Sequence, residues 1–308
     1  MTGPVIRLTQ GRAGRTPLPL IAFRFALPSH RPMYLAVWTP QHSQAVLAGG
    51  NVLLSGAPGA GKSYLIREVI LPALLAQGAQ VLLVDYADVY GAKIKSTTGA
   101  PLRRLVLGAE TFGPAAANAP SPAPGLLASS CIVTLDGPRV ARDGMCDLLL
   151  QSLYAELLQR PRPPGTPQYL IIDISHLTPA IPTFKLMLRN AAKFGFTLIV
   201  TCQSPSTLDD DLLALFRTHL AFYHFFKRCL RCMAQAVLTT STPALSGLQT
   251  QPSDGLQAQR AAPLNMFGQP VATPTSQLAG VIAKLKVGEC LLATPGIKFE
   301  KLKANPWA

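Results

Sequence analysis

The chain has 308 residues, enough for one large domain or two small ones with a buried core. Its apolar fraction of 48% suits a globular protein, while charged residues reach only 14% against a usual share of about 25%, and 28 prolines exceed the usual share of about 5%, so long uncharged loops should interrupt the fold. The net charge of +13 points to a polyanionic partner, nucleic acid before an anionic membrane surface; no apolar run reaches the roughly 18 residues of a spanning helix.

Residues 1–45 read as a basic, proline-punctuated leader: Arg7, Arg12, Arg15, Arg24 and Arg31 lie within it, and no Asp or Glu precedes Glu68. A short apolar run at 51–55 then reads as a strand, and it leads into Gly56, Ala57, Pro58, Gly59, Ala60, Gly61, Lys62 and Ser63. This octet satisfies the Walker A pattern G-x-x-x-x-G-K-[ST] at every required position. Glycines let backbone N–H groups turn in around phosphate oxygens, the lysine reaches the β/γ-phosphates, and the serine hydroxyl ligates Mg²⁺. Residues 64–75 carry apolar side chains at helical spacing, which puts the anion at a helix N-terminus. ATP with Mg²⁺ is therefore the expected ligand.

Residues 80–85 form an apolar run ending in Asp85, the pattern of a buried parallel strand, and 131–136 repeat it with Asp136. Between them, 102–107 suggest another strand and the Pro/Ala-rich 113–125 a loop. A leucine-spaced helix at 144–159 ends at the Arg/Pro-rich break 160–167, and 169–173 give a further strand ending in Asp173. A helix at 183–193, a strand at 197–202 and a strand at 220–226 come next. The stretch 239–275, with only Asp254 and Arg260 charged, reads as a low-complexity insertion; 289–303 suggest a hairpin. Alternating strands and helices of these lengths predict an α/β fold, a mainly parallel sheet with helices on both faces.

Asp173 after three apolar residues fits a Walker B acid that would hold the Mg²⁺ shell with Ser63. Cys229-Leu230-Arg231-Cys232 with His219 and His224 could suggest zinc, but the odd spacing of the two histidines on a strand sends them to opposite faces, and the six cysteines read as reduced core thiols of a cytoplasmic or peripherally attached protein. Aromatic residues at 7% are too few for base stacking, so backbone-directed, sequence-independent contact with double-stranded DNA fits better.

Taken in order over about 46–303, these segments resemble the HerA/FtsK group of P-loop DNA-pumping ATPases, which includes conjugative-transfer ATPases and the genome-packaging ATPases of tailless membrane-containing phages. The matching segments are Walker A, Val84-Asp85-Tyr86-Ala87-Asp88-Val89-Tyr90-Gly91, Asp173-Ile174-Ser175-His176, Ala192-Lys193-Phe194-Gly195, Leu198 to Pro205 with its Thr-x-Gln-Ser-Pro, and Leu285-Lys286-Val287-Gly288-Glu289-Cys290. The resemblance implies a RecA-like P-loop NTPase domain over 46–303 and Gln203 as γ-phosphate sensor. It also implies a homo-oligomeric ring, expected to be a hexamer, with an arginine finger for which Arg189, Lys193 and Arg217 are candidates, Arg189 foremost. Docking on a capsid vertex or a membrane secretion complex is implied too.

Where the family has a catalytic glutamate, this chain has Ile174, which cannot accept a proton or orient water. Three readings are open: slow hydrolysis, replacement by another acid such as Asp85, Asp88 or Asp136, or a subunit that only binds ATP. Retention of Walker A, Asp173 and Gln203 favours hydrolysis. The expected function is ATP-driven DNA translocation in genome packaging or conjugation, the alternative a weakly hydrolysing, ATP-binding assembly protein.

Overall fold

The three apolar runs that end in Asp85, Asp136 and Asp173 lie side by side as neighbouring strands of a ten-stranded sheet. The computed structural model describes residues 36–48, 50–86, 88–90, 102–108, 126, 129–159, 167–173, 182–241, 274–294 and 297–303, all within the unit spanning 33–308. In chain order these form β1 (Ala36–Val37), α1 (Pro40–Ala48), β2 (Val52–Ser55), α2 (Lys62–Leu65), a π-helical turn (Ile66–Ile70), α3 (Leu71–Ala76), β3 (Gln80–Asp85), β4 (Arg103–Leu107) and β5 (Cys131–Leu135). Beyond these lie α4 (Arg139–Gln159), β6 (Gln168–Asp173), α5 (Pro182–Phe194), β7 (Phe196–Cys202), α6 (Asp210–Leu213), β8 (Thr218–Phe222), α7 (Lys227–Ser241), α8 (Pro274–Ile282), β9 (Glu289–Thr294) and β10 (Ile297–Lys303).

The strand order is β1-β10-β9-β8-β2-β7-β6-β3-β5-β4. Pairing is parallel throughout except that β9 runs antiparallel to both β8 and β10. Alternate strand residues feed two cores. Leu53, Leu82, Val84, Leu170, Ile172 and Val200 face α4, α5, α7 and α8, whereas Val52, Leu54, Leu83, Ile171 and Ile199 face α1 and the helix after the P-loop. The mainly parallel sheet with helices on both faces is thus the observed architecture.

Several boundaries differ from those expected. Helix α4 begins at Arg139 rather than 144, directly behind Pro138. Strand β8 ends at Phe222 rather than 226: Tyr223 turns out of the sheet to accept the Ala57 N–H, and Phe225 and Phe226 are 64% and 69% exposed. The helix after the P-loop contains a π turn immediately before Pro72, whose ring lacks an N–H and would crowd the carbonyl four residues back. Strand β1 and helix α1 extend the sheet unit to residue 36. The rest of the leader, the 113–125 loop, the 160–166 break, Ile174 to His176 and residues 242–273 lie outside the described residues.

Candidate nucleotide-binding site

Parallel strands that end level with one another bring the segments beyond them to one edge of the sheet. Strand β2 pairs with β7 so that Ser55 is level with Cys202, and β7 pairs with β6 so that Thr201 is level with Asp173. The P-loop, Gln203 and Asp173 therefore emerge side by side from three adjacent strands. Crevices at the carboxyl ends of such strands are where open α/β sheets bind ligands.

The loop is fixed from both flanks. Gly56 donates its N–H to the Cys202 carbonyl at 3.0 Å, Ala57 donates to Tyr223 at 2.8 Å, and Gly288 donates to Ala60 at 3.1 Å. Gly59 and Gly61 have φ of 74° and 110°, the left-handed region that favours glycine. A Cβ at Gly56 would stand 2.6 Å from the Phe222 Cβ, and one at Gly61 would stand 3.3 Å from the Gly288 backbone, whereas one at Gly59 would meet nothing within 4 Å. The space over Gly59 is open, as a phosphate would require. Lys62 is 6% exposed, and its ammonium donates to the Gly56 and Ala57 carbonyls at 2.7 and 3.0 Å. Burial lowers its pKa, and the nearby Asp173 carboxylate opposes that shift.

Ser63 is half-buried in the first turn of α2, and Asp173 is 8% exposed at the end of β6, on the same face of the sheet as the α2–α3 helix. A hydroxyl and a carboxylate are the hard oxygen donors that Mg²⁺ takes, so the residues present fit a Mg²⁺–triphosphate group. Gln203 is half-buried beyond β7, and its amide makes no side-chain hydrogen bond among the described residues. Arg189 and Lys193 are exposed on α5. Arg217 is exposed at the start of β8, the edge opposite the P-loop, where its stem packs over Gly50.

The acids considered in place of the missing glutamate have distinct settings. Asp85 is fully buried, and its two oxygens accept the N–H groups of Val89 and Tyr90, each at 2.9 Å. Asp88 pairs with Arg104 at 2.7 Å on the surface. Asp136 is exposed past β5, two strands away from Asp173. Ile174 itself is outside the described residues.

Two sets of contacts are not evident from the sequence pattern. His224 is buried and shares a hydrogen bond with the Ser55 hydroxyl at 3.2 Å; burial, then the charge of Lys62, pushes its pKa down to about 4. Glu289 is 6% exposed, accepts the Lys286 N–H and the Lys301 ammonium, each at 2.9 Å, and so closes the turn that presents Gly288 to the P-loop. The Cys232 thiol donates to the Pro205 carbonyl and Cys229 meets Ser206. Among the described residues no group of three His, Cys, Asp or Glu could hold a metal, and no helix is long and apolar enough to cross a membrane.

No protein-family model matches the sequence, and no curated protein matches it. Solved structures do. The genome packaging NTPase B204 of Sulfolobus turreted icosahedral virus 2, in complex with ATP-gammaS, matches with a TM-score of 0.51 at 15% identity, covering 82% of this chain and 96% of that one. The plasmid coupling protein TrwB, in complex with a non-hydrolysable ATP analogue, matches with a TM-score of 0.55 at 14% identity, covering 89% and 90%. The unbound bacterial conjugative coupling protein TrwB matches with a TM-score of 0.54 at 14% identity, again covering 89% of this chain. The chain therefore has the RecA-like P-loop NTPase fold of these structures.

Proposed function

We propose that this chain is an ATP-dependent DNA translocase, the motor ATPase of viral genome packaging or of conjugative DNA transfer, working as a homo-oligomeric ring. The observation that carries the reading is the meeting of Lys62, Gln203 and Asp173 at the ends of three neighbouring parallel strands. In it, Lys62 and the loop amides hold the phosphates, Ser63 and Asp173 hold Mg²⁺, and Gln203 faces the γ-phosphate. The metal would neutralise charge that develops on the phosphates. Exposed Arg189 on α5 is the candidate to complete a neighbouring subunit's site. Two likenesses support DNA as the substrate: the fold of a genome packaging NTPase and that of a conjugative coupling protein. The net charge of +13 suits a partner whose affinity comes from phosphate contacts.

A second reading, an ATP-binding assembly protein that hydrolyses weakly, is favoured by Ile174. Steady-state ATP hydrolysis with and without double-stranded DNA separates the two, with Lys62→Ala as background and Ile174→Glu restoring a carboxylate. DNA-stimulated turnover above the Lys62→Ala level supports the motor. Turnover at that level in the wild type, with tight ATP binding, supports the assembly protein.

A further inference from the structure

The turn after β3 carries a hydroxyl with nothing to bond among the described residues. The Asp85 carboxylate accepts the N–H groups of Val89 and Tyr90 and so folds this turn back on itself. Asp85 lies on the sheet face that packs the helix after the P-loop, one residue past the level of the Val84 and Ile172 pair, and hence across from Asp173. Tyr90 is 1% exposed within the core of that face, in the same cluster as Ala60, Leu65 and Ile66. Its hydroxyl is the buried, unpartnered one. It stands beside the Ser63 hydroxyl and close enough to Asp173 to feel its charge.

Buried polar atoms are nearly always paired, and phenylalanine would fill the same space without desolvating a hydroxyl. A phenol is protonated at neutral pH, so its hydroxyl is free to donate. Its neighbours, Ser63 and Asp173, are the two side chains that fit Mg²⁺.

We propose that Tyr90 is a positioning residue of the nucleotide site, its hydroxyl donating a hydrogen bond to an oxygen of the bound Mg²⁺–triphosphate group. The Asp85 turn thereby becomes an element that registers the metal-bound triphosphate. This rests on the nucleotide-site reading above and adds to it a side chain outside Walker A, Walker B and the Gln203 segment.

The test is Tyr90→Phe, which keeps the ring and removes only the donor. Binding of a fluorescent non-hydrolysable ATP analogue is measured with Mg²⁺ and with EDTA, alongside the thermal midpoint of the nucleotide-free protein. The expected result is a loss of about tenfold in affinity with Mg²⁺, the size of one hydrogen bond to a charged group. Affinity in EDTA should stay within about twofold, and the midpoint should be unchanged or higher, because an unpaired buried hydroxyl has been removed. Unchanged affinity with Mg²⁺ overturns the proposal. So does an equal loss in both conditions with a lowered midpoint, which would mark Tyr90 as packing alone. Failure of the wild-type protein to bind the analogue in either condition removes the nucleotide-site reading itself, a result distinct from both.

Discussion

His219 on β8 is 1% exposed, and burial pushes its pKa down to about 4, as it does for His224 with help from Lys62. Both folded values lie below the ordinary 6.5, so the unfolded chain binds more protons between pH 6.5 and 4. Their contribution is present above pH 6.5 and is lost as pH falls through that window, at about 2 kcal/mol per histidine by pH 5. Urea denaturation from pH 7 to pH 5 should show a falling midpoint that His219→Leu partly flattens; a slope unaffected by the substitution contradicts the neutral imidazole. Asn51 acts at a different place. Its amide donates to the Leu188 and Leu215 carbonyls at 3.0 and 3.3 Å and accepts the Leu198 N–H at 3.1 Å, tying β2 to α5, β7 and the approach to β8. Asn51→Ala should cost about 2–4 kcal/mol in chemical denaturation, because buried backbone groups lose their partners. Nothing in the local pattern around Asn51 announces this role, since its three partners lie 137, 164 and 147 positions away in sequence.

At the scale of elements, the P-loop is braced by chain that returns from the far end of the sequence. Gly61 at φ 110° sits against the Gly288 backbone, and Gly288 itself has φ 78°. Gly61→Ala would introduce both an unfavourable φ and a contact of 3.3 Å. Triphosphate binding by Gly61→Ala, measured by calorimetry, should fall by at least about tenfold, as expected for displacement of a loop whose amides hold phosphates; wild-type affinity would show that the brace is dispensable. Strands β3, β5, β6 and β7 are legible in the sequence because each is a mainly apolar run, buried on both faces. The end of β8 is not. Its apolar run continues through Phe226, yet hydrogen bonding to Ala57 draws Tyr223 out of the sheet, a tertiary event that periodicity does not record. The π turn before Pro72 is hidden for a similar reason: the apolar spacing over 64–75 reads as one regular helix and does not record the locally wider turn.

In the whole molecule, one mainly parallel sheet collects the P-loop, Gln203 and Asp173 along one edge, and these are readable from sequence because each ends or follows an apolar run. The places of Tyr90 and His224 are not readable, since they depend on Ser63, Asp173 and Ser55 from other strands and loops. The charge of +13 leads to a prediction at this scale. Binding to double-stranded DNA should weaken by roughly a thousandfold or more between about 50 and 200 mM salt if about six or more phosphates are contacted, and should be indifferent to sequence. Fluorescence anisotropy on two unrelated duplexes checks both; salt-independent or sequence-selective binding contradicts the backbone-directed contact. The central claim, that ATP turnover moves this protein along DNA, is tested most directly by displacement of a triplex-forming strand from duplex DNA. Displacement should occur with ATP, and be absent with a non-hydrolysable analogue and in Lys62→Ala. Absence of displacement by a wild-type protein that binds the duplex and hydrolyses ATP would contradict it.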